Sequence, residues 1–174
     1  TRGALLLLSR PLCVWSSNAR EDVIRVGEFC GKFRCPLPRR GGATSKAGEA
    51  IGEGLQVDIS KYFNRVLEVN AEERWARVEP GVVLDELNAQ LAPLGLRFAP
   101  DISTASRATL GGLMANTSCG ARRVLYGKPI DHVLEQPVLL SDVSLLHFRA
   151  TPPSEGPSSP PLSAPRPTPR PGLS

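Results

Sequence analysis

The sequence predicts an α+β fold in two subdomains, followed by a tail with no core of its own. Three observations predict it. Short strand-like and helix-like hydrophobic patterns alternate through residues 11–149. Two glycine-bearing loops, at 40–45 and within 100–127, interrupt those patterns. From residue 150 the composition changes abruptly, with nine prolines between Pro152 and Pro171.

Residues 1–10 carry little signal. The apolar run at 5–8 is far too short to span a bilayer, and a buried strand or a ragged end accounts for it better than the remnant of a signal segment. Residues 11–15, PLCVW, read as a short strand. Asn18 with Glu21 three positions on is a capping-box signal for a helix running to about Phe33, with Val23, Val26, Cys30 and Phe33 on one side. The Pro36–Leu37–Pro38 bend leads to the first loop, RGGATS at 40–45. Leu55, Val57 and Ile59 then alternate with polar residues, as a strand does. Residues 66–69 and 74–78 make two more strands, joined by a polar link at 70–73 as a hairpin. Pro80 and Gly81 turn the chain into a helix over about 83–92. Its stripe is Leu84, Leu87 and Leu91, with Asp85 and Asn88 facing outward. Residues 94–98 read as a short strand, and 133–140 with 145–148 as a final pair around Ser141 and Asp142. The first subdomain, of βαββ type, spans about 11–69, and the second occupies about 70–149. The proline-rich segment 150–174 is expected to be disordered, since it has almost no large apolar side chain to offset its ordering entropy.

The stretch 100–127, PDISTASRATLGGLMANTSCGARRVLYG, is the centre of the sequence. Small and hydroxylated residues fill most of the gaps between its glycines, and bulky apolar residues are rare, so packing its own side chains is not its expected task. Glycine lets a backbone approach another group closely. Successive main-chain N–H groups near a helix start then form a concave site for phosphate-like anions. The second glycine loop upstream favours that role over plain turn geometry.

The totals exclude several classes. At 174 residues, 41% hydrophobic and 22% charged, the chain has room for one ordinary globular domain. The net charge of +4 is spread over scattered arginines, and 5% aromatic content is too low for a base-stacking platform, so no nucleic acid is expected. Cys13, Cys30, Cys35 and Cys119 are spaced 17, 5 and 84 apart, with both histidines distant. That spacing argues against a zinc or iron–sulfur site and for free thiols in a reducing compartment. A cytoplasmic protein without a transmembrane segment follows, with peripheral attachment to a membrane left open.

Two such loops, joined by strand–strand–strand–helix–strand, resemble the FAD-binding domain of the p-cresol methylhydroxylase and vanillyl-alcohol oxidase superfamily. The similar branch is that of FAD-linked oxidases, which includes D-lactate dehydrogenase and glycolate oxidase subunits. The resemblance runs from about residue 11 to 148. It is strongest across 66–138, in VEPGVVLDELNAQLAPLGLRFAPDISTASRATLGG and the following NTSCGARRVLYGK. It implies a two-subdomain FAD-binding fold, here incomplete. In that family the first loop, usually Arg-Gly-Gly-Gly-Thr-Ser, wraps the FAD pyrophosphate. By match, Arg40, Gly41, Gly42, Thr44 and Ser45 take those places, with Ala43 in the third glycine's position. The second loop closes on the same cofactor, which implicates Pro100, Ser103, Thr109, Gly111, Gly112, Ser118, Cys119, Gly120 and Tyr126. Tyr126 packing as a core aromatic instead is an equal alternative. Some relatives attach the flavin through a histidine in the first loop. Thr44 stands there, so non-covalent FAD is implied. His132 and His147 lie outside both loops, and His147 is expected to face solvent.

Five positions depart from the family pattern: Arg39, Ala43, Lys46, Thr117 and Val143. A methyl group at 43 is harmful if φ there is positive, and a β-branched Val143 is poor where an Asp-Gly turn is expected. Together they suggest a degenerate or low-affinity copy. The family also continues into a substrate-binding cap absent from this sequence, so no catalytic residue is assignable. The implied function is FAD binding in an oxidoreductase acting on a small 2-hydroxy acid, with a quinone, cytochrome or iron–sulfur partner taking the electrons. The alternatives are an inactive interaction module recruiting a partner through its proline-rich tail, and an FAD-dependent reductase on the same fold. With part of the parent core missing, Leu139, Leu140, Leu145 and Leu146 are expected to leave apolar surface exposed.

Overall fold

The structure, a computed structural model, describes residues 9–149. The expectations for 1–8 and for the proline-rich tail lie outside those residues. Strand β1 (Cys13–Ser16) leads into helix α1 (Arg20–Lys32), and β1, the two-residue strand β2 (Arg39–Arg40) and β3 (Leu55–Asp58) form a parallel sheet in the order β1-β3-β2. The apolar alternation of 55–59 thus ends up in the central strand, where Val57 and Gln56 are buried. The ladder is longer than its strands suggest: Leu55, Val57 and Ile59 donate their N–H groups to the carbonyls of Pro36, Pro38 and Arg40. The first loop therefore leaves β2 at the carboxyl edge of a parallel sheet, the edge where open α/β sheets hold ligands.

Helix α1 starts later than the capping-box signal predicts. Ala19, not Asn18, is its N-cap, with no side-chain bond; buried Ser17 instead donates its hydroxyl to the Ala19 carbonyl at 2.7 Å. Cys30 is buried on the predicted face, but Phe33 is exposed and stacks on Phe29 at 4.7 Å.

Strands β4 (Val66–Asn70) and β5 (Trp75–Val78) form the predicted antiparallel hairpin, with a register shift between Val66 and Glu68. The Asn70 side chain accepts from the Glu73 N–H at 2.9 Å and shapes its turn. Helix α2 (Leu84–Leu91) buries Leu84, Leu87 and Leu91 as the spacing required. They form one core with Val82, Ala108, Leu110 and Leu113, against which Val66, Val69, Val78 and Phe98 pack. The stretch 100–127 is thus not free of packing duty: Ala108, Leu110 and Leu113 are core residues, with Ile102 and Ala105 packed against them.

No strand forms at 94–98. Residues Ala92–Leu94 continue α2 as a 3-10 turn, and Gly95 ends it at φ 68°. The backbone of Phe98 is then captured by Asn88, whose Oδ1 accepts from the Phe98 N–H at 2.8 Å and whose Nδ2 donates to the Phe98 carbonyl at 3.4 Å. Asn88 accordingly faces the chain rather than solvent.

Helices α3 (Leu110–Ala115) and α4 (Arg123–Tyr126) precede a hairpin of β6 (Glu135–Leu139) and β7 (Leu145–Arg149). His147 is exposed, as expected. Of Leu139, Leu140, Leu145 and Leu146 only Leu145 is exposed, at 37%; the larger apolar exposure is on α4, where Val124 is 89% and Leu125 78% exposed. Three of the five family departures fall on left-handed backbone: Ala43 at φ 56°, Thr117 at φ 45° and Val143 at φ 68°. The β6–β7 turn has Leu140 donating to the Ser144 carbonyl and Val143 to the Leu140 carbonyl, a three-residue loop whose last residue should be glycine.

Candidate functional site

The two loops meet in one cleft of about 790 Å³. Such a volume lies within the range of cofactor sites. The loops are held there by close contacts that only glycine permits. A methyl group on Gly41 would overlap the Thr109 side-chain oxygen, and one on Gly42 would overlap the Arg107 carbonyl oxygen. Gly120 sits as tightly against the Asp101 carbonyl. Gly41 and Gly42 thus serve loop-to-loop closure, while Gly120 closes the second loop on itself. Gly112 is different: a Cβ there would have a single close neighbour, Thr109 Oγ1 at 3.3 Å, so its main chain borders open space.

The second loop is fixed in turn by α2, whose N-cap residue Val83 gives no side-chain cap. Carbonyls of the loop replace it: Leu84 donates to Ala108 at 3.1 Å and Asp85 to Ala105 at 3.2 Å. Val83 and Thr109 form an antiparallel bridge beside these bonds. The orphan donors of one helix end thereby set the position of residues 105–109. In the first loop the Gln56 amide donates to the Ala50 carbonyl at 2.6 Å and holds the far end of the turn to the central strand.

Of the residues singled out from the sequence, twelve line the cleft: Arg40, Gly41, Gly42, Ala43, Thr44 and Ser45 from the first loop, and Ser103, Thr109, Gly112, Ser118, Cys119 and Gly120 from the second. Three do not. Pro100 is buried outside the lining. Gly111 faces Pro80, to whose carbonyl its N–H donates at 2.8 Å and whose Cβ a side chain would meet at 2.7 Å. Tyr126 is 42% exposed on α4, and its carbonyl partners His132 Nε2 at 2.7 Å, so it is neither a core aromatic nor a lining residue. The start of α3 offers less to an anion than expected, because Leu110 also donates its N–H, to the Val82 carbonyl at 2.9 Å.

The sequence reasoning missed Lys46, Ala50, Asp101, Ile102, Asn116 and other small residues of the lining. A Lys or Asp in a loop carries no pattern of its own. Asp101 is paired with Arg122 at 3.6 Å, at the edge of the second loop. Arg40 is tethered as well: its Nε lies 3.8 Å from Asp58 Oδ2, too far for a hydrogen bond, and is buried without an acceptor. Thr109 Oγ1 is the second buried polar atom of the cleft without a partner. Two unsatisfied donors at the same cleft fit a ligand rich in acceptors. Cys119 Sγ accepts from the Arg123 guanidinium at 3.8 Å. Among the described residues no group of His, Cys, Asp and Glu is arranged to hold a metal ion.

Comparison with known proteins places this geometry. The family described as "FAD binding domain" matches residues 11–149. The chain is 45% identical to a D-2-hydroxyglutarate dehydrogenase of Pseudomonas putida over 130 residues, covering 73% of this chain and 13% of that protein. It is 30% identical to the glycolate oxidase subunit GlcD of Bacillus subtilis over 139 residues, 79% of this chain and 30% of the subunit. The fold matches that of an alkyldihydroxyacetonephosphate synthase with a TM-score of 0.70 at 24% identity, over 80% of this chain and 26% of that one. The chain thus spans about an eighth of the dehydrogenase and under a third of the other two.

Proposed function

The chain belongs to the FAD binding domain family, and on that premise we propose that its two loops hold the pyrophosphate of a non-covalently bound FAD. The observation that carries this reading is the closure of the two loops on one cleft, where Arg40 Nε and Thr109 Oγ1 are buried donors without acceptors. Arg40–Ser45 supply one wall, and Ser103, Thr109, Gly112 and 118–120 the other. Arg40 is partly neutralised by Asp58, so main-chain N–H groups and hydroxyls carry most of the anion binding. Thr44 lines the cleft where a covalent attachment would need a histidine, which supports a dissociable cofactor.

The wider reading is a role in an oxidoreductase for a small 2-hydroxy acid, on the fold of the p-cresol methylhydroxylase type with subdomains at about 11–69 and 70–149. The named activities of the relatives, D-2-hydroxyglutarate dehydrogenase, glycolate oxidase and D-lactate dehydrogenase, all concern such acids and support it. Bound FAD supplies the two-electron redox chemistry, and this chain's residues bind and orient it. A quinone, cytochrome or iron–sulfur protein is the expected electron acceptor. No described helix is long and apolar enough to cross a membrane. Titration of FAD into the chain, followed by quenching of flavin fluorescence, tests the site. Saturable quenching is expected, and Gly112→Val, which places a side chain at the least crowded glycine of the cleft, should remove it. Equal quenching by both proteins would refute the assignment of Gly112 to the cofactor wall.

A further inference from the structure

We propose that Cys30 and Cys35 form a dithiol that closes to an intramolecular disulfide at the C-terminal end of α1. The helix ends there in a left-handed turn. Arg34 adopts φ 51° and donates its N–H to the Gly31 carbonyl at 3.4 Å, while Cys35 donates to the Cys30 carbonyl at 2.9 Å. This is the Schellman arrangement, and the two positions joined by its outer bond, Cys30 and Cys35, are the ones whose side chains meet across the helix end. An apolar contact frequently occupies these two positions. Here both are cysteines, and a main-chain hydrogen bond of 2.9 Å joins them directly.

The thiols behave as neighbours. Burial raises the pKa of Cys30, and the Cys35 thiol beside it raises it further, with Cys13 of β1 contributing less. All three are free, Cys30 buried and Cys35 half-buried, with the Cys35 Sγ donating to the Pro36 carbonyl at 3.6 Å. Cys35 is therefore the point of entry. Its thiolate attacks one sulfur of a low-molecular-weight disulfide, breaks that S–S bond and releases one small thiol. Cys30, once deprotonated, attacks the Cys35 sulfur of the mixed disulfide and releases the second small thiol. The two protein thiols lose two electrons and two protons, and the small disulfide leaves as two thiols. The raised pKa of Cys30 makes the second step faster at alkaline pH. The new bond ties α1 to the segment that pairs with β3 through the Pro36 carbonyl and continues into the first loop.

The test is incubation of the chain with oxidised glutathione, alkylation of remaining thiols under denaturing conditions, and peptide mass mapping. The count of free thiols is expected to fall from four to two, with the loss of two hydrogens and a Cys30–Cys35 cross-link. Cys13→Ser should form the same bridge, and Cys35→Ser, at a half-buried position, should form none. Persistent glutathione adducts without closure, a bridge to Cys13, or four unreacted thiols would each overturn the proposal.

Discussion

Replacing Gly42 by alanine isolates the contact that builds the cleft. A Cβ at this position overlaps the Arg107 carbonyl oxygen, lies 2.9 Å from its carbon and 3.5 Å from the Ala108 Cα. All three atoms are main chain, so no rotamer change relieves the clash. The φ of Gly42 is not positive, so the cost is steric alone. Overpacking of this kind costs about 1–3 kcal/mol. The two loops then separate, and FAD affinity should fall roughly tenfold for each 1.4 kcal/mol that closure must supply. Gly31→Ala is the control of opposite sign. It lies in α1 with nothing within 4 Å of the added methyl group. It should stabilise the chain by about 0.5–1 kcal/mol, the usual gain of alanine over glycine inside a helix. Urea unfolding followed by the fluorescence of Trp15 and Trp75 reads stability, and flavin quenching reads affinity. A Gly42→Ala protein with parental midpoint and parental affinity would refute the reasoning that these loops close through glycine.

Other consequences follow from single residues. Ala43→Gly removes a left-handed penalty of about 1–2 kcal/mol and adds about 0.5–1 kcal/mol of unfolded-state entropy, so the urea midpoint should rise by the difference. Asn88→Ala leaves the Phe98 N–H without its acceptor and should cost about 1–3 kcal/mol, read as a lower midpoint together with faster exchange of the Phe98 amide. Glu79 accepts from the side chain and the N–H of Arg65, and the Arg65 hydrogen bond holds its pKa below the usual carboxylate range. A lowered folded pKa means that this stabilisation is complete above the unfolded Glu value of about 4.3 and is lost as pH falls through the folded one. Because Arg65 is 73% exposed, the effect should stay below about 1 kcal/mol, and Glu79→Gln should abolish that part of the acid-limb slope.

Much of this fold was legible in the sequence because it rests on short-range patterns. The Leu84, Leu87 and Leu91 stripe, the alternation into β3 and the polar link of the β4–β5 hairpin each state their partner-facing side directly. The failures share a cause: main-chain groups satisfied from a distance. Residues 94–98 look like a strand, yet Gly95 closes the helix and Asn88 takes the Phe98 backbone, so no ladder remains for them to join. Asn18 looks like a cap, but β1 runs on to Ser16 and moves the helix start by one residue. At the site, glycine positions were readable while their duties were not. Gly111 turned to Pro80 and Gly120 to Asp101, contacts that depend on segments far away in the chain. The warning about positive φ at Ala43 and Val143 was readable, because a turn's glycine requirement is local.

The central claim is that the two loops of this chain form an FAD site, and the visible absorption spectrum of the purified protein tests it most directly. Excess FAD is added and removed by desalting, and the spectrum is compared before and after acid precipitation. Flavin bands should remain with the protein after desalting and pass entirely into the acid supernatant, as expected of a non-covalent cofactor. A folded protein that emerges colourless would contradict the claim.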